Sequence, residues 1–317
     1  MKFATSKTKI AGSAKVSELK HFKRNLPLTA LALPGIIFIF IFNYIPLYGL
    51  ILPFKNYKAS LGFFKSPWVG LKNFEFLFSG NEIINATYNT IVYNLIFIVL
   101  GTLISVILAL MLYEINNRAV KIYQTVLFLP YFVSWVVVAY IVKAFLDIDY
   151  GFVNNLLEKF GMEPVMWYSE PDRWPPILIA TNVWKNMGYN AIIYYAALMG
   201  VDKTLHEAAR IDGANKIKEI IHVSIPMLVP MITILTILNI GKIFYGDFGL
   251  FYNVPLDSSL LYPTTDVIDT YVYRGLMGLG DIGMSSAAGF YQAVVGFILV
   301  LATNFAVKKI DSDNALF

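Results

Sequence analysis

Residues 207–226 read EAARIDGANKIKEIIHVSIP, a polar and charged stretch between two long apolar segments. The stretch has a regular order. Glu-Ala-Ala begins at Glu207, Gly213 follows after three more residues, and Val223-x-Ile225-Pro226 follows after another nine. Charged residues at this density are costly inside a hydrocarbon layer, whereas the flanking segments suit one. The stretch is therefore predicted to be a loop on one side of a membrane.

A bent pair of helices is predicted within this loop. Asp202 precedes a helical pattern over residues 203–212, and Gly213 permits the positive φ at which a helix commonly ends. A second helix is predicted over 214–225, and Pro226 ends it or kinks it. Its apolar positions fall near one face: Ile217, Ile220, Ile221, Ser224 and Ile225. An ordinary amphipathic helix at the membrane surface is the alternative interpretation.

The composition favours a membrane protein. The 317 residues are 57% apolar and 15% charged, with a mean hydropathy of +0.61. A soluble domain of this size needs a more charged surface. The net charge of +4 is small and is not gathered in a basic stripe, so nucleic acid is not an expected partner. The absence of cysteine excludes disulfides and thiolate sites, and the three histidines lack a metal-ligand spacing.

Six apolar segments are long enough to cross a hydrocarbon core of about 30 Å, which takes roughly 20 helical residues. The predicted spans lie near 27–50, 86–112, 122–145, 176–200, 226–244 and 285–307. A basic N-terminus precedes the first segment, but that segment is too long for the core of a signal peptide, so it is read as a retained span.

The basic residues of the connecting segments indicate the orientation. With the N-terminus in the cytoplasm, the inside segments hold 15 of the 25 basic residues and the outside segments hold 7. Both termini and the loop at 201–225 are therefore predicted to be cytoplasmic. The predicted organisation is a basic tail (1–26), a six-helix membrane domain (27–307) and a short C-terminal tail (308–317).

The loop at 201–225 resembles the cytoplasmic coupling loop of membrane subunits in binding-protein-dependent ABC importers. That loop usually ends in Ile-x-Leu-Pro, so Val223 and Ile225 are conservative departures. Residues 42–78 and 270–309 resemble sugar-type, maltose-permease-like subunits, especially the branch for oligosaccharides and polysaccharide fragments. Four residues carry the first of these likenesses: Trp68, Gly70, Asn73 and Phe74. The resemblance implies an all-α, six-helix permease fold of the type I (MetI-like) importers in a bacterial cell membrane.

The function implied by this resemblance is that of a permease subunit, forming half of the pathway for a sugar, an oligosaccharide or a polysaccharide fragment. Coupling to a separate ATPase would depend on Glu207, Ala208, Ala209, Asp212, Gly213 and Pro226. The implied partners are a second, distinct permease, an ATP-binding cassette ATPase dimer and an extracytoplasmic sugar-binding protein, with lipid around the spans. Because no GxxxxGK-Ser/Thr loop is present, Mg-ATP would bind to the ATPase, and this chain is expected to hold no cofactor or metal and to catalyse no reaction.

Polar residues recur inside the fourth predicted span, where they are costly unless they face protein or a water-filled path. Most of them fall on one helical face, and amides and aromatic rings are groups that bind sugar hydroxyls and sugar faces. The candidates for substrate contact are Asn182, Trp184, Lys185, Asn186, Tyr189, Asn190, Tyr194 and, in the fifth span, Asn239. Hydrogen bonding between helices is the alternative role for the same residues.

Two other functions remain as alternatives. An importer of a non-sugar solute such as a peptide would have the same coupling loop. An ion-coupled secondary transporter would need buried carboxylates, and the six predicted spans contain no Asp or Glu.

Overall fold

In the computed structural model of the protein, residues 25–26, 29–75 and 80–310 are described. The tails predicted at 1–26 and 308–317 lie largely outside these ranges. Within the described ranges every regular element is helical, and an isolated antiparallel β-bridge joins Lys55 to Trp68. The prediction of an all-α chain is therefore confirmed for this part of the protein.

Eleven principal helices lie in the described chain, and the connections at 55–80 and 241–267 are the longest between them. In chain order they are α1 (Thr29–Phe54), α2 (Asn81–Glu114), α3 (Asn117–Phe132), α4 (Trp135–Leu146), α5 (Phe152–Lys159), α6 (Trp174–Met199), α7 (Lys203–Ile211), α8 (Lys216–Glu219), α9 (Ile225–Ile240), α10 (Ile268–Leu279) and α11 (Ile282–Ile310). One-turn helices lie at Gly62–Lys65 and Tyr262–Thr265.

Four helices of the described chain are long and apolar enough to cross a membrane: α1, α2, the continuous helix Lys216–Ile240, and α11. A fifth crossing results if α3 and α4 together form one broken span. The fourth predicted span coincides with α6, whose 26 residues extend for about 39 Å. Its asparagines, tyrosines and lysine lower its hydropathy below that of the other four. Apolar length alone therefore supports four or five spans, not the six that were predicted.

The third predicted span, 122–145, is not one continuous helix. It is divided into α3 and α4, which are bent by 95° at a short break. Pro130 lies near the end of α3, and the Ser134 side chain caps α4 by accepting a hydrogen bond from the Val137 amide at 3.3 Å. Three carbonyls near the break, those of Pro130, Tyr131 and Val133, accept hydrogen bonds from the Lys185 ammonium. A lysine from another helix thus stabilises the bend, which hydropathy along α3 and α4 could not indicate.

Helix α6 is the central element, and it packs along α2 and α3. Its packing against α3 depends on Gly188, where an added methyl group would lie 1.8 Å from the Leu127 carbonyl oxygen. Toward its N-terminus, Trp174 and Leu178 are fully buried in one apolar cluster. Toward its C-terminus, Leu198 is fully buried in a second cluster. These two clusters fix α6 near both of its ends.

The segment between α9 and α10 is attached to α2 by polar contacts. The Asn89 amide donates to the Asp266 carbonyl at 3.0 Å, and the Tyr93 hydroxyl donates to the Thr264 carbonyl at 2.8 Å. Asn94 donates to the Ile243 carbonyl at 2.9 Å. Side chains of α2 thus satisfy backbone groups of an irregular segment, as buried polar groups require.

The second helix of the predicted loop does not end at Pro226. Helix α8 passes through a π turn at Ile220–Ser224 directly into α9, so that Lys216–Ile240 is one helix of 25 residues. Pro226 lies in the first turn of α9, where a missing N–H is tolerated, and the π turn supplies a bond from the Ile225 amide to the Ile220 carbonyl. Of the two outcomes predicted at Pro226, the helix therefore does not end there but continues into the fifth span, with a π turn just before the proline.

Candidate functional site

A sharp elbow joins α7 to α8. The Asp202 side chain begins α7 by accepting a hydrogen bond from the Thr204 amide at 2.9 Å, and its hydrogen bonds with Thr204 lower the pKa of Asp202. At the other end Gly213 has φ +79°, as predicted. The Ala214 amide donates to the Ala209 carbonyl at 2.9 Å, and the Gly213 amide donates to the Arg210 carbonyl at 3.1 Å. This is the Schellman arrangement, in which a glycine reverses the chain after a helix.

A buried carboxylate holds the two arms of the elbow together. Glu219 is only 2% exposed, and its Oε1 lies 2.8 Å from His206 Nδ1 on α7. The Arg210 guanidinium donates to the same carboxylate at 3.1 and 3.2 Å. Lys216 Nζ lies 3.2 Å from Glu219 and 2.8 Å from Glu114, at the end of α2. We refer to these five residues as the elbow cluster.

The elbow cluster was not predicted from the sequence, in which Glu219 lay off the apolar face of the second helix. One signal was available in the spacing. His206 and Arg210 are four residues apart on α7, and Lys216 and Glu219 are three apart on α8, so each pair shares a helical face. A buried carboxylate needs such partners, because an unpaired charge is expensive to remove from water.

The outer surface of the elbow carries most of the residues predicted for coupling. Glu207, Ala208, Asp212 and Gly213 are all exposed, and Ala209 is half-buried. Pro226 is exposed, but it lies in the helix that leads away from the elbow.

The apolar residues of the elbow also face outward. Ile211 at the end of α7 is 86% exposed. On the apolar face predicted for the second helix, Ile217 is 67% exposed and Ile221 is 50% exposed, whereas Ser224 is buried. A short helix with small, acidic and aliphatic side chains is therefore available to a partner.

A cavity of about 260 Å³ lies between α2, α6 and α9. It is lined by Phe97, Ile98, Gly101, Thr102, Tyr189, Asn190, Ile193, Tyr194, Leu235, Leu238, Asn239 and Lys242. Four of the predicted pathway residues are therefore brought together here: Tyr189, Asn190, Tyr194 and Asn239. Thr102 and Lys242 also line the cavity and were not among the predicted residues.

The remaining pathway candidates do not line this cavity. Lys185 is buried, and its ammonium is used at the bend between α3 and α4, where it also lies 5.1 Å from the Trp135 ring centre. The Asn186 amide donates to the Asn182 carbonyl one turn earlier at 3.0 Å. Trp184 lies on another face and is 38% exposed. Of the predicted residues on α6, only those in its later part therefore line this cavity.

Tyr189 connects the cavity to a group of aromatic rings on α3. Its ring lies 4.6 Å from that of Tyr131 with an interplanar angle of 11°, and 6.1 Å from that of Phe128 with an angle of 16°. Stacked rings hold one another in a fixed orientation. Tyr194 is held differently, since it is 2% exposed and packs with Ala109 and Leu198 at the base of the cavity.

A second and larger cavity, of about 1240 Å³, lies near the beginning of α2 and the end of α10. Its walls include Tyr88, Tyr262, Tyr271 and Arg274. The guanidinium of Arg274 stacks 3.9 Å from the Tyr262 ring centre, and it is paired with Asp266 and, at 3.3 Å, with Asp257. Burial raises the pKa of Asp266, and the bond from Arg274 opposes that rise. The charge of Arg274 is thus balanced within the protein.

Among the described residues no group of three or more His, Asp or Glu side chains is arranged to hold a metal.

The chain matches a known family over most of its length. The family described as "Binding-protein-dependent transport system inner membrane component" matches residues 101–312. Protein LplB of Bacillus subtilis is 33% identical over 94% of each chain. The polygalacturonan/rhamnogalacturonan transport system permease protein YteP of the same organism is 32% identical over 89% of this chain and 88% of its own.

A solved structure has the same fold. It is a chain of a bacterial alginate ABC transporter in complex with an alginate pentasaccharide-bound periplasmic protein. The TM-score is 0.82 and the sequences are 34% identical, with 92% of this chain and 97% of the other covered.

Proposed function

Because this chain belongs to the family of inner membrane components of binding-protein-dependent transport systems, we propose that it forms half of the membrane pathway for an oligosaccharide or polysaccharide fragment. The chain is a multi-pass membrane permease subunit of an ATP-driven importer, and in this family the ATPase is a separate subunit. Family membership thus favours ATP-driven import over the ion-coupled alternative.

A carbohydrate substrate is supported by two independent kinds of observation. A relative belongs to a polygalacturonan/rhamnogalacturonan transport system, and the solved neighbour comes from an alginate ABC transporter. The cavity between α2, α6 and α9 offers amides at Asn190 and Asn239 beside the ring of Tyr189. Amide groups match sugar hydroxyls, and an aromatic ring matches the apolar face of a sugar.

The observation that carries the proposal is the continuity of the elbow with the cavity wall. The exposed elbow is joined through the buried elbow cluster to the helix Lys216–Ile240. Asn239 lies near the far end of that helix and lines the cavity. A displacement of the elbow is therefore transmitted along about 35 Å of helix to the place where substrate would lie.

The proposed cycle needs no chemistry on this chain. An ATPase dimer holding Mg-ATP would close, and it would move the surface that contains Glu207, Ala208 and Gly213. The cavity would then open toward the outside and accept sugar from an extracytoplasmic binding protein. Hydrolysis by the ATPase would return the cavity to the inward-facing state.

The complete assembly would contain a second, distinct permease with this one, surrounded by lipid. We infer six spans with both termini in the cytoplasm, in which α6 is one span and α3 with α4 is another. Polar α6 is suited to this position if other helices and the partner permease cover it, because residues that face protein need not be apolar.

Reconstitution tests the proposed function. The chain would be purified from its native membrane with the proteins that accompany it, and placed in liposomes with binding protein and labelled oligosaccharides. We expect ATP-dependent entry of an oligosaccharide and an ATPase subunit in the purified complex. Entry of peptides instead of sugars would replace the carbohydrate assignment, and entry without ATP would overturn the coupling mechanism.

A further inference from the structure

The cavity between α2, α6 and α9 has an unbalanced positive charge. Among the described residues that line it, Lys242 is the only charged one, and its side chain is exposed. Its backbone amide donates to the Asn239 carbonyl at 3.0 Å, which places it one turn beyond a polar lining residue. In the part of the chain that the structure describes, no carboxylate lies within ion-pair distance of its ammonium.

Two other cations of the membrane domain have partners within the protein. Lys185 donates to three backbone carbonyls at 2.6 to 3.3 Å. Arg274 is paired with Asp257 and Asp266. Lys242 differs from these two, because among the described residues its ammonium has no such partner to hold the fold together.

An ionisable residue at the edge of a span is costly unless it reaches water or meets an opposite charge. Lys242 projects into a space that also contains Asn190, Asn239 and Tyr189. A cavity of about 260 Å³ is smaller than the pockets of about 300–1,000 Å³ that hold drug-sized ligands, so it suits one sugar residue of a longer chain.

On the basis of the permease function proposed above, we propose that this cavity is a subsite for a sugar residue that carries a carboxylate, with Lys242 as its counter-ion. One lysine balances one carboxylate. A phosphate monoester carries about −1.5 to −2 charges at neutral pH, and it would leave negative charge unbalanced here. Asn190 and Asn239 would bind hydroxyls of the same residue, and the ring of Tyr189 would lie against its face. The substrate class is thus an oligosaccharide that contains uronic acid.

The test compares two sugars of the same skeleton. Trigalacturonate and its fully methyl-esterified form differ in charge but little in shape. ATP-dependent uptake of each would be measured in liposomes that contain the complete importer, with wild-type chain, Lys242→Gln, Lys242→Arg and Lys159→Gln. Lys159 is exposed on α5 and does not line the cavity, which makes it a matched control for loss of one positive charge.

The binding protein can itself prefer one form, so the decisive quantity is the change in the acid-to-ester uptake ratio between variants. We expect this ratio to fall about tenfold in Lys242→Gln, as for loss of one close charge pair, with ester uptake unchanged. Lys242→Arg and Lys159→Gln should keep the wild-type ratio.

An unchanged ratio in Lys242→Gln would overturn the subsite, and so would an equal fall in uptake of both sugars. A rise in the acid-to-ester ratio would also overturn it. If neither sugar enters with any variant while peptides do, the proposed carbohydrate function itself fails, and the subsite fails with it.

Discussion

His206 Nδ1 and Glu219 Oε1 lie 2.8 Å apart inside the elbow, and both side chains are almost fully buried. One residue belongs to α7 and the other to α8, so this contact fixes the angle between the arm that faces a partner and the arm that enters the membrane. Glu219 also accepts hydrogen bonds from Arg210 and Lys216, whose side chains reach solvent. The elbow is therefore a rigid unit, which is what transmission of force from one arm to the other requires.

Replacing Glu219 with Gln should weaken this unit. The substitution keeps the shape but removes the charge that His206, Arg210 and Lys216 share. We expect a cost of about 1–3 kcal/mol, since Arg210 and Lys216 can be hydrated instead. ATP-dependent uptake should fall strongly while membrane insertion persists. Uptake in liposomes and the amount of chain in the membrane fraction would be measured together.

Glu158→Gln is the matched control, because Glu158 is an exposed acid on α5. It should leave uptake unchanged. Normal uptake by Glu219→Gln would contradict the role of the elbow cluster in transmission.

Gly213→Ala should also uncouple the protein. Gly213 has φ +79°, a conformation that costs an L-residue about 1–2 kcal/mol. A change in this turn redirects the surface formed by Glu207 and Ala208. We expect ATPase activity of the complex to persist without the corresponding uptake, and the ratio of sugar imported to ATP hydrolysed is the measurement.

Gly161→Ala provides the comparison for backbone strain alone. Gly161 has φ +73° with open space around it, but it lies after α5, away from the elbow. The two variants should lose similar stability, and only Gly213→Ala should lose coupling. If both variants gave the same ratio of sugar imported to ATP hydrolysed, this turn would have no specific role in coupling.

Asn190→Ala should raise the KM for sugar several-fold, because a cavity side chain that binds a hydroxyl is lost. Asn186→Ala serves as the control on the same helix, since the Asn186 amide is bonded to the Asn182 carbonyl within α6. Concentration-dependent uptake would be recorded for both. A larger effect from Asn186→Ala would mean that substrate passes along a different face of α6.

Lys185→Met should act on stability and leave substrate preference unchanged. The variant removes three hydrogen bonds to the carbonyls at the bend between α3 and α4. Bonds from a charged donor contribute about 1.5–3 kcal/mol each, although the methionine chain would recover part of the packing. Thermal unfolding in detergent should show a lower Tm. If the variant instead changed the preference among sugars without lowering the Tm, Lys185 would be a substrate-contacting residue.

The elbow could be predicted from the sequence because its signals are local. Asp202 begins a helix and Gly213 ends it by backbone preferences that act over a few residues. The bend at Ser134 is different, since it depends on Lys185, which lies about fifty residues further along the chain. A hydropathy profile shows a continuous apolar segment there and does not indicate the bend.

Part of the predicted stripe on α6 lines the cavity. Helical periodicity placed Asn182, Asn186 and Asn190 close together around the axis, but it could not say which helix would pack against each turn. The contacts of α6 with α3 at Gly188 and Lys185 join residues distant in sequence, which periodicity along α6 does not reveal. Of the predicted stripe, only Tyr189, Asn190 and Tyr194 line the cavity.

The helix Lys216–Ile240 has one end in the cluster around Glu219 and the other beside Asn239. Because some twenty residues separate these ends, mutations at either one are free to accumulate without disturbing the other. During evolution, a permease of this kind could therefore keep the same ATPase and change its substrate through a few substitutions near Asn239. The same separation would let an engineer change sugar selectivity near Asn239 while leaving the ATPase-facing elbow unaltered.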